Sequence, residues 1–380
     1  MARRSKGEGT ICRRKDGLWM AQATIGINPQ TGKPCRKTFY GKTRREVAEK
    51  LNTILHEIQQ GSYIEPSQIT VEQWLTDWLE GRKPHIEEST WSAYEVMARC
   101  HINPSLGKVK LKDLRTRDIQ SLINNKLTEN LSPRTVKYIY TTINMALKQA
   151  LKERLIPYNP AEGTELPKQE KKEMKTLSRQ DVAQFLQVAK ESRHYPAFLL
   201  ELATGLRRGE LLAIKWENVD FSKRTLSIKE QLVRAKEGLT FKSLKTAKSK
   251  RTITLPADIV EMLRMHRKKQ AELKLMLGPV YEDNGLLFCA EDGKPLDPKS
   301  FVDHFKRLLK KAGLNVRFHD LRHTFATLSL EAGIPVKTVQ DMLGHTTSKM
   351  VMDVYGHVTK DMHEAAAATI GGILAECIKK

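Results

Sequence analysis

The sequence predicts a mainly α protein with small β sheets, divided into three parts. Three observations carry this reading. Apolar residues recur at helical spacing over residues 70–165 and again through most of the C-terminal half. Strand-like runs are confined to the first forty residues and to 224–255. A polar, charged, aperiodic stretch at 165–175 separates the two helical regions, as a tether between domains does. At 380 residues the chain also exceeds the size at which one hydrophobic core stops growing. The expected domains are residues 1–62, 70–165 and 176–380.

In chain order, residues 9–15, 18–27 and 34–40 have strand character. Asp16-Gly17 is a hairpin turn signal and 28–32 a longer turn, so a three-stranded sheet is expected. Thr43 with Glu46 three residues on opens a helix whose apolar stripe is Val47, Leu51, Ile54, Leu55 and Ile58. Residues 61–69 read as a linker. Thr70 with Gln73 forms a capping box before Trp74, Leu75 and Trp78. Ser132-Pro133 starts a helix with proline at its first position and Val136, Ile139, Tyr140, Ile143, Leu147 and Leu151 along one face; Pro157 and Pro160 stop it. Residues 70–165 therefore make a bundle of four or five helices. Beyond the tether, helices resume at Ser178, strands occupy 225–228 and 251–255, and helices run to the end, the last of them a tail over 358–378 rich in small and apolar residues.

The formal net charge is +21, and the first fifty residues hold 13 Lys and Arg against 4 acids, 13 − 4 = +9. Such a surface favours a polyanionic partner, nucleic acid foremost. The five cysteines are scattered without a CxxC pair, which argues against zinc or redox chemistry and for free thiols. No run approaches the roughly 18 to 20 apolar residues that span a membrane, and no signal core follows the first charges, so a cytoplasmic protein without membrane association is expected. There is no GxxxxGK[ST] loop, no HExxH and no carboxylate cluster at two-metal spacing; His319 and His323 stand four apart, but Asp320 occupies the place where the zinc motif has glutamate. No metal and no other cofactor is expected.

The C-terminal half instead concentrates Arg, His and Tyr in short strings. Thr204-Gly205-Leu206-Arg207-Arg208-Gly209-Glu210 places two arginines beside a glycine turn directly after the apolar helix over 196–203. His319-Asp320-Leu321-Arg322-His323 puts His319, Arg322 and His323 at i, i+3 and i+4, on one helix face. Leu343-Gly344-His345 follows, and ten residues beyond His345 comes Tyr355. Each string has an ordinary structural explanation: an Arg207–Glu210 ion pair, partly buried histidines, a core tyrosine. Four strings in this order and spacing do not.

Together they resemble the catalytic domain of tyrosine recombinases, the phage integrase family, and in particular the integrases of conjugative transposons and temperate phages. The resemblance covers the chain from about residue 176 onward. It implies a mixed α+β catalytic domain in which Arg207, His319, Arg322, His345 and Tyr355 are catalytic, Tyr355 being the nucleophile. It also implies a catalytic lysine on a hairpin before a strand; Lys245, in Leu244-Lys245-Thr246, matches best, with several lysines close by. Glu210 would orient Arg207, and His323 would stand behind the reacting groups.

The preceding bundle resembles the family's core-binding domain, and residues 1–62 its small arm-type DNA-binding domain, with Arg13, Lys15, Trp19 and Arg36 as contact candidates. Double-stranded DNA with core and arm attachment sites is then the implied partner, bound as a homotetramer with accessory DNA-bending and excision factors, in a bacterial cytoplasm and on the nucleoid. The tail helix would pack on its own domain or on a neighbouring protomer. A chromosome-dimer resolvase, a type IB topoisomerase and a DNA-binding protein without catalysis are the alternatives to a mobile-element integrase.

The residue types suit that chemistry. Negative charge grows on the non-bridging phosphate oxygens during transesterification, and guanidinium forks meet it in planar geometry while staying charged. A tyrosine with a pKa near 10 needs about 4 kcal/mol of help to ionise at pH 7, from a base or from cations. A lysine can protonate the leaving 5′ oxygen, and the phosphotyrosyl ester preserves the bond for rejoining.

Overall fold

The computed structural model describes residues 9–27, 32–60, 68–169, 174–235, 238–244 and 249–344. The chain divides into two compact units, residues 1–170 and 171–380. No described helix is long and apolar enough to cross a membrane.

The first unit opens with β1 (Thr10–Arg13), β2 (Trp19–Ile27) and β3 (Pro34–Gly41), an antiparallel sheet in that order. The Asp16-Gly17 turn is closed by the Gly17 N–H donating to the Arg14 carbonyl and the Arg14 N–H to that of Leu18. Helix α1 (Arg44–Gln59) begins where Thr43 Oγ1 accepts the Glu46 N–H at 3.2 Å, and it lays Val47 and Leu51 on Ala21 and Ala23.

Strand alternation then sorts the DNA-contact candidates. Ile11, Trp19, Ala21, Ala23 and Phe39 share the side covered by α1, and Arg13 lies opposite Trp19 in the register. The small alanines leave room for α1, and Trp19 packs beside it half-buried, while Arg13 on the same side is exposed. Arg36, opposite Thr24, keeps the open side with Gln22, Thr38 and Tyr40. Lys15 is exposed at the turn.

The bundle of this unit comprises α2 (Val71–Arg82), α3 (Glu88–Met97) continuing through a π turn at Ala98–Ile102 into α4 (Asn103–Leu106), then α5 (Thr116–Thr128) and α6 (Pro133–Lys152). The Thr70–Gln73 capping box forms, and Ser132 caps α6. Trp74 Nε1 donates to the Ala146 carbonyl at 2.9 Å, fixing α2 on α6 through a fully desolvated bond.

In the second unit, α7 (Arg179–Ala189), capped by Ser178, precedes α8 (Tyr195–Thr204) and the single turn α9 (Arg208–Leu211). Strands β4 (Val219–Asp220), β5 (Thr225–Ile228) and, later, β8 (Arg251–Thr254) form one sheet in the order β4-β5-β8; β6 (Glu230–Ala235) and β7 (Gly238–Ser243) form a separate hairpin. Helices α10 (Ala257–Leu277), α11 (Pro298–Lys311), α12 (Asp320–Glu331) and α13 (Val336–Leu343) follow. The core is a phenylalanine cluster, with Phe185, Phe198, Phe301, Phe305 and Phe318 in edge, tilted and stacked contacts at centroid distances of 5.2 to 5.6 Å. A satellite cluster of Phe325, Ala326, Leu330, Val339 and Leu343 joins α12 to α13 and so fixes where α13 ends.

Candidate functional site

The site is assembled where the α8–α9 turn, the start of β8, α12 and the end of α13 are joined by hydrogen bonds. Helix α8 is ended by Gly205 in the left-handed region (φ 60°, ψ 35°), which turns the chain so that Arg207 stands at the N-cap of α9. Arg207 is tied to Glu210 twice: its backbone N–H donates to Oε2 at 3.0 Å and its Nη1 to Oε1 at 2.7 Å. Glu210 is buried, and burial pushes its carboxyl up; the hydrogen bond and charge of Arg251, then Arg207, overcome that and hold it below the usual carboxylate range. Arg251 itself, at the start of β8, donates Nη2 to Glu210 Oε2 at 2.8 Å.

Arg322 is 2% exposed and reaches two backbone carbonyls, Gly205 through Nη1 and Leu343 through Nη2, both at 2.7 Å. Burial, then repulsion from Arg207, pulls its pKa down to about 9, so the guanidinium is still charged at neutral pH. Two of its five N–H donors are spent on these carbonyls among the described residues.

Helix α12 starts at Asp320, one residue later than an i, i+3, i+4 face requires, and His319 is its N-cap. The cause is local: Arg317 locks Asp320 with its backbone N–H at 2.7 Å and its guanidinium at 2.7 to 3.2 Å. His319 and His323 still meet, ring edge to ring face, at 5.1 Å, while Arg322 turns to its carbonyls. His319 retains solvent exposure, yet crowding of the ring, then repulsion from His323 and Arg322, lowers its pKa to about 4. The ring is therefore neutral at pH 7 and a weaker base than a free imidazole. The His323 pKa is lowered as well, by burial first.

Arg207, Glu210, His319, Arg322 and His323 are thus placed on α8–α9 and α12. Lys245, His345 and Tyr355 lie outside the described residues. Two groups escaped the reading of the sequence. Arg251 was one cation in a run of them. Glu201 sits in the helix read as apolar; it is fully buried, and neither carboxyl oxygen has a hydrogen-bond partner among the described residues. Burial raises its pKa well above 4.5, against the lowering influence of Arg322, so the folded chain keeps a proton there that the unfolded chain releases.

Stability from this group is complete below pH 4.5 and is lost progressively as pH rises toward the folded-state value. Glu201→Gln is expected to flatten that dependence: urea midpoints at pH 5, 6.5 and 8 should converge in the variant and diverge in the parent, the slope approaching about 1.4 kcal/mol per pH unit for one proton.

Fold and site together define an anion-handling α-rich domain built around two anchored guanidinium groups. The model of the "Phage integrase family" matches residues 175–362, and that of the "Phage integrase, N-terminal SAM-like domain" matches residues 70–127. A protein described as "Tyrosine recombinase XerC-like" from Caldanaerobacter subterraneus subsp. tengcongensis is 30% identical over 94% of this chain and 97% of its own length. The ICEBs1 integrase of Bacillus subtilis is 21% identical over 96% of this chain and 100% of its own. Among solved structures, the Tn1549 transposon integrase in complex with transposon right end DNA shares the fold with a TM-score of 0.69, at 22% identity over 80% of this chain and 100% of that one. The chain belongs to the phage integrase family of tyrosine recombinases, and its activity is site-specific DNA recombination.

Proposed function

We propose that this chain is the integrase of a mobile genetic element, acting on double-stranded DNA through a covalent 3′-phosphotyrosyl intermediate on Tyr355. The observation that carries the reading is the pairing of Arg207 and Arg322 around the Gly205 turn, with the neutral imidazole of His319 at the head of α12. Two guanidinium groups so anchored suit the non-bridging oxygens of one phosphate.

Tyr355 attacks the phosphorus. The P–O bond to tyrosine forms as the bond to the 5′ oxygen breaks; the tyrosyl proton passes to His319, and Lys245 supplies a proton to the leaving oxygen. His345 donates to the phosphate. Rejoining is the same step reversed with the 5′ hydroxyl of a partner strand, so the energy of the broken bond is retained in the ester. Neither ATP nor a metal has a role in this scheme.

Residues 70–165 and 176–380 would hold the core site and residues 1–62 a separate arm site, with a tetramer uniting two duplexes. The lambda integrase tetramer bound to a Holliday junction, similar in fold with a TM-score of 0.58 at 22% identity over 93% of this chain, supports that assembly. Arg36 on the open face of the N-terminal sheet and Lys15 at its turn are the better placed arm contacts. Accessory DNA-bending and excision factors, and residence on the nucleoid of a bacterial cytoplasm, belong to the same reading.

Tyr355→Phe tests it. The variant should bind attachment-site DNA as the parent does and form no covalent adduct on a nicked suicide substrate resolved by denaturing electrophoresis; an adduct that survives the substitution overturns the assignment.

A further inference from the structure

Arg251 is drawn into this site from a distance. Its side chain is 6% exposed. Three acceptors surround it: Nε donates to the Met342 carbonyl at 2.6 Å, Nη1 to that of Ser249 at 3.1 Å and Nη2 to Glu210 Oε2 at 2.8 Å. These lie on three separate segments. Glu210 holds Arg207, Ser249 belongs to the approach to β8, and Met342 is in the last turn of α13, three residues before His345.

The next carbonyl of that turn, Leu343, is held by Arg322, whose other hand grips Gly205. The bonds therefore close a ring: the turn from Gly205 to Glu210, then Arg251, then the end of α13, then Arg322, and back to Gly205. Gly344 packs closely against this ring: a Cβ there would stand 3.1 Å from Arg251 Nη1 and 3.2 Å from its Cδ, at a φ of +64° that strains any other residue. All three guanidinium nitrogens of Arg251 are engaged by protein acceptors and its side chain is 6% exposed among the described residues, so it is turned toward the protein rather than toward a DNA phosphate. It is a joint.

We propose that Arg251 is a positioning residue of the recombination reaction, coupling Arg207 to the end of α13 that leads into His345 and to the segment that follows Lys245. The inference rests on the assignment of Arg207, Lys245, His345 and Tyr355 to the reaction. A bare structural ion pair would give stability alone; a joint between three site segments sets the geometry of the reacting groups, where an error on the order of 1 Å costs about a hundredfold in rate. Lysine at this position retains charge and cannot serve three divergent acceptors, because its ammonium is a single point at the end of a flexible stem.

The test uses the full-length protein and a nicked suicide substrate carrying its attachment site. Arg251→Lys is expected to hold DNA within about threefold of the parent affinity and to lower the single-turnover cleavage rate of the bound, folded protein by about tenfold to a hundredfold. Arg251→Met, which leaves Glu210 buried opposite an apolar side chain, gives the larger loss where it folds, and Arg251→Lys keeps the question answerable where it does not. A double-mutant cycle with Glu210→Gln should be non-additive in rate, the second substitution adding little to the first. Cleavage by Arg251→Lys at the parent rate, or a loss accounted for by the unfolded fraction alone, overturns the proposal. Tyr355→Phe run in parallel separates the two levels: adduct formation independent of Tyr355 sinks the underlying reading, whereas Tyr355-dependent cleavage indifferent to Arg251 sinks only this one.

Discussion

Arg322→Met is expected to lose strand cleavage by at least a hundredfold to a thousandfold and to destabilise the second unit at the same time. The two losses have different origins. Arg322 is the buried cation whose Nη atoms satisfy the Gly205 and Leu343 carbonyls, and methionine matches its girth while offering no donor. Two buried carbonyls are left unpaired, each costing about 1 to 3 kcal/mol. Loss of one transition-state donor in other enzymes costs about 3 to 4 kcal/mol of activation free energy, which is the rate factor just given. Arg322→Lys separates them: the charge remains and one carbonyl can still be met, so stability should recover more than cleavage does. Chemical denaturation followed by circular dichroism, together with single-turnover cleavage corrected for folded fraction, gives both numbers. Cleavage by the methionine variant at the parent rate would remove Arg322 from the reaction.

The reason Arg322 was legible in the sequence and Arg251 was not is range. Arg322 sits in His319-x-x-Arg322, a local string, and the helix starts at Thr43, Thr70, Ser132 and Ser178 are equally local, each fixed by a side chain and a backbone N–H three residues apart. Arg251 acquires its role from partners 41 and 91 residues away, and nothing within its own run of lysines distinguishes it. The side of the sheet on which Trp19 stands was not legible for the same reason. Alternation fixed which residues share a side of β2, but which side α1 covers depends on packing against Ala21 and Ala23, a tertiary outcome. The late start of α12 was hidden in the same way, because the Arg317–Asp320 lock that makes His319 an N-cap is a choice among several nearby polar partners. Glu201 passed unnoticed because a single carboxyl in an apolar helix leaves the periodicity unchanged.

Gly205→Ala is expected to be severely damaging for the addition of a single methyl group. Gly205 adopts φ +60°, and a Cβ there would lie 2.5 Å from Phe325 Cδ1 and 2.7 Å from Leu343 Cδ2, two side chains 6% and 1% exposed. The left-handed backbone costs an L residue about 1 to 2 kcal/mol, and forcing a methyl into a filled core about 1 to 3 more, so a loss of about 2 to 5 kcal/mol is expected. At about 2 to 4 °C per kcal/mol for a domain of this size, the Tm should fall by on the order of 10 °C. The damage cannot stay local. The Gly205 carbonyl is the anchor of Arg322, its N–H closes α8 on the Glu201 carbonyl at 2.7 Å, and Arg207 follows two residues later, so any shift that relieves the clash moves both guanidinium groups. Cleavage by the folded fraction should therefore drop about a hundredfold or more. Gly313→Ala supplies the control: it shares the left-handed backbone at φ +66° and has no atom within 4 Å of the added carbon, so it carries the conformational cost without the clash. Equal Tm losses in the two variants, with cleavage per folded molecule unchanged at Gly205, would show that the turn contributes conformation alone and that the site tolerates its displacement.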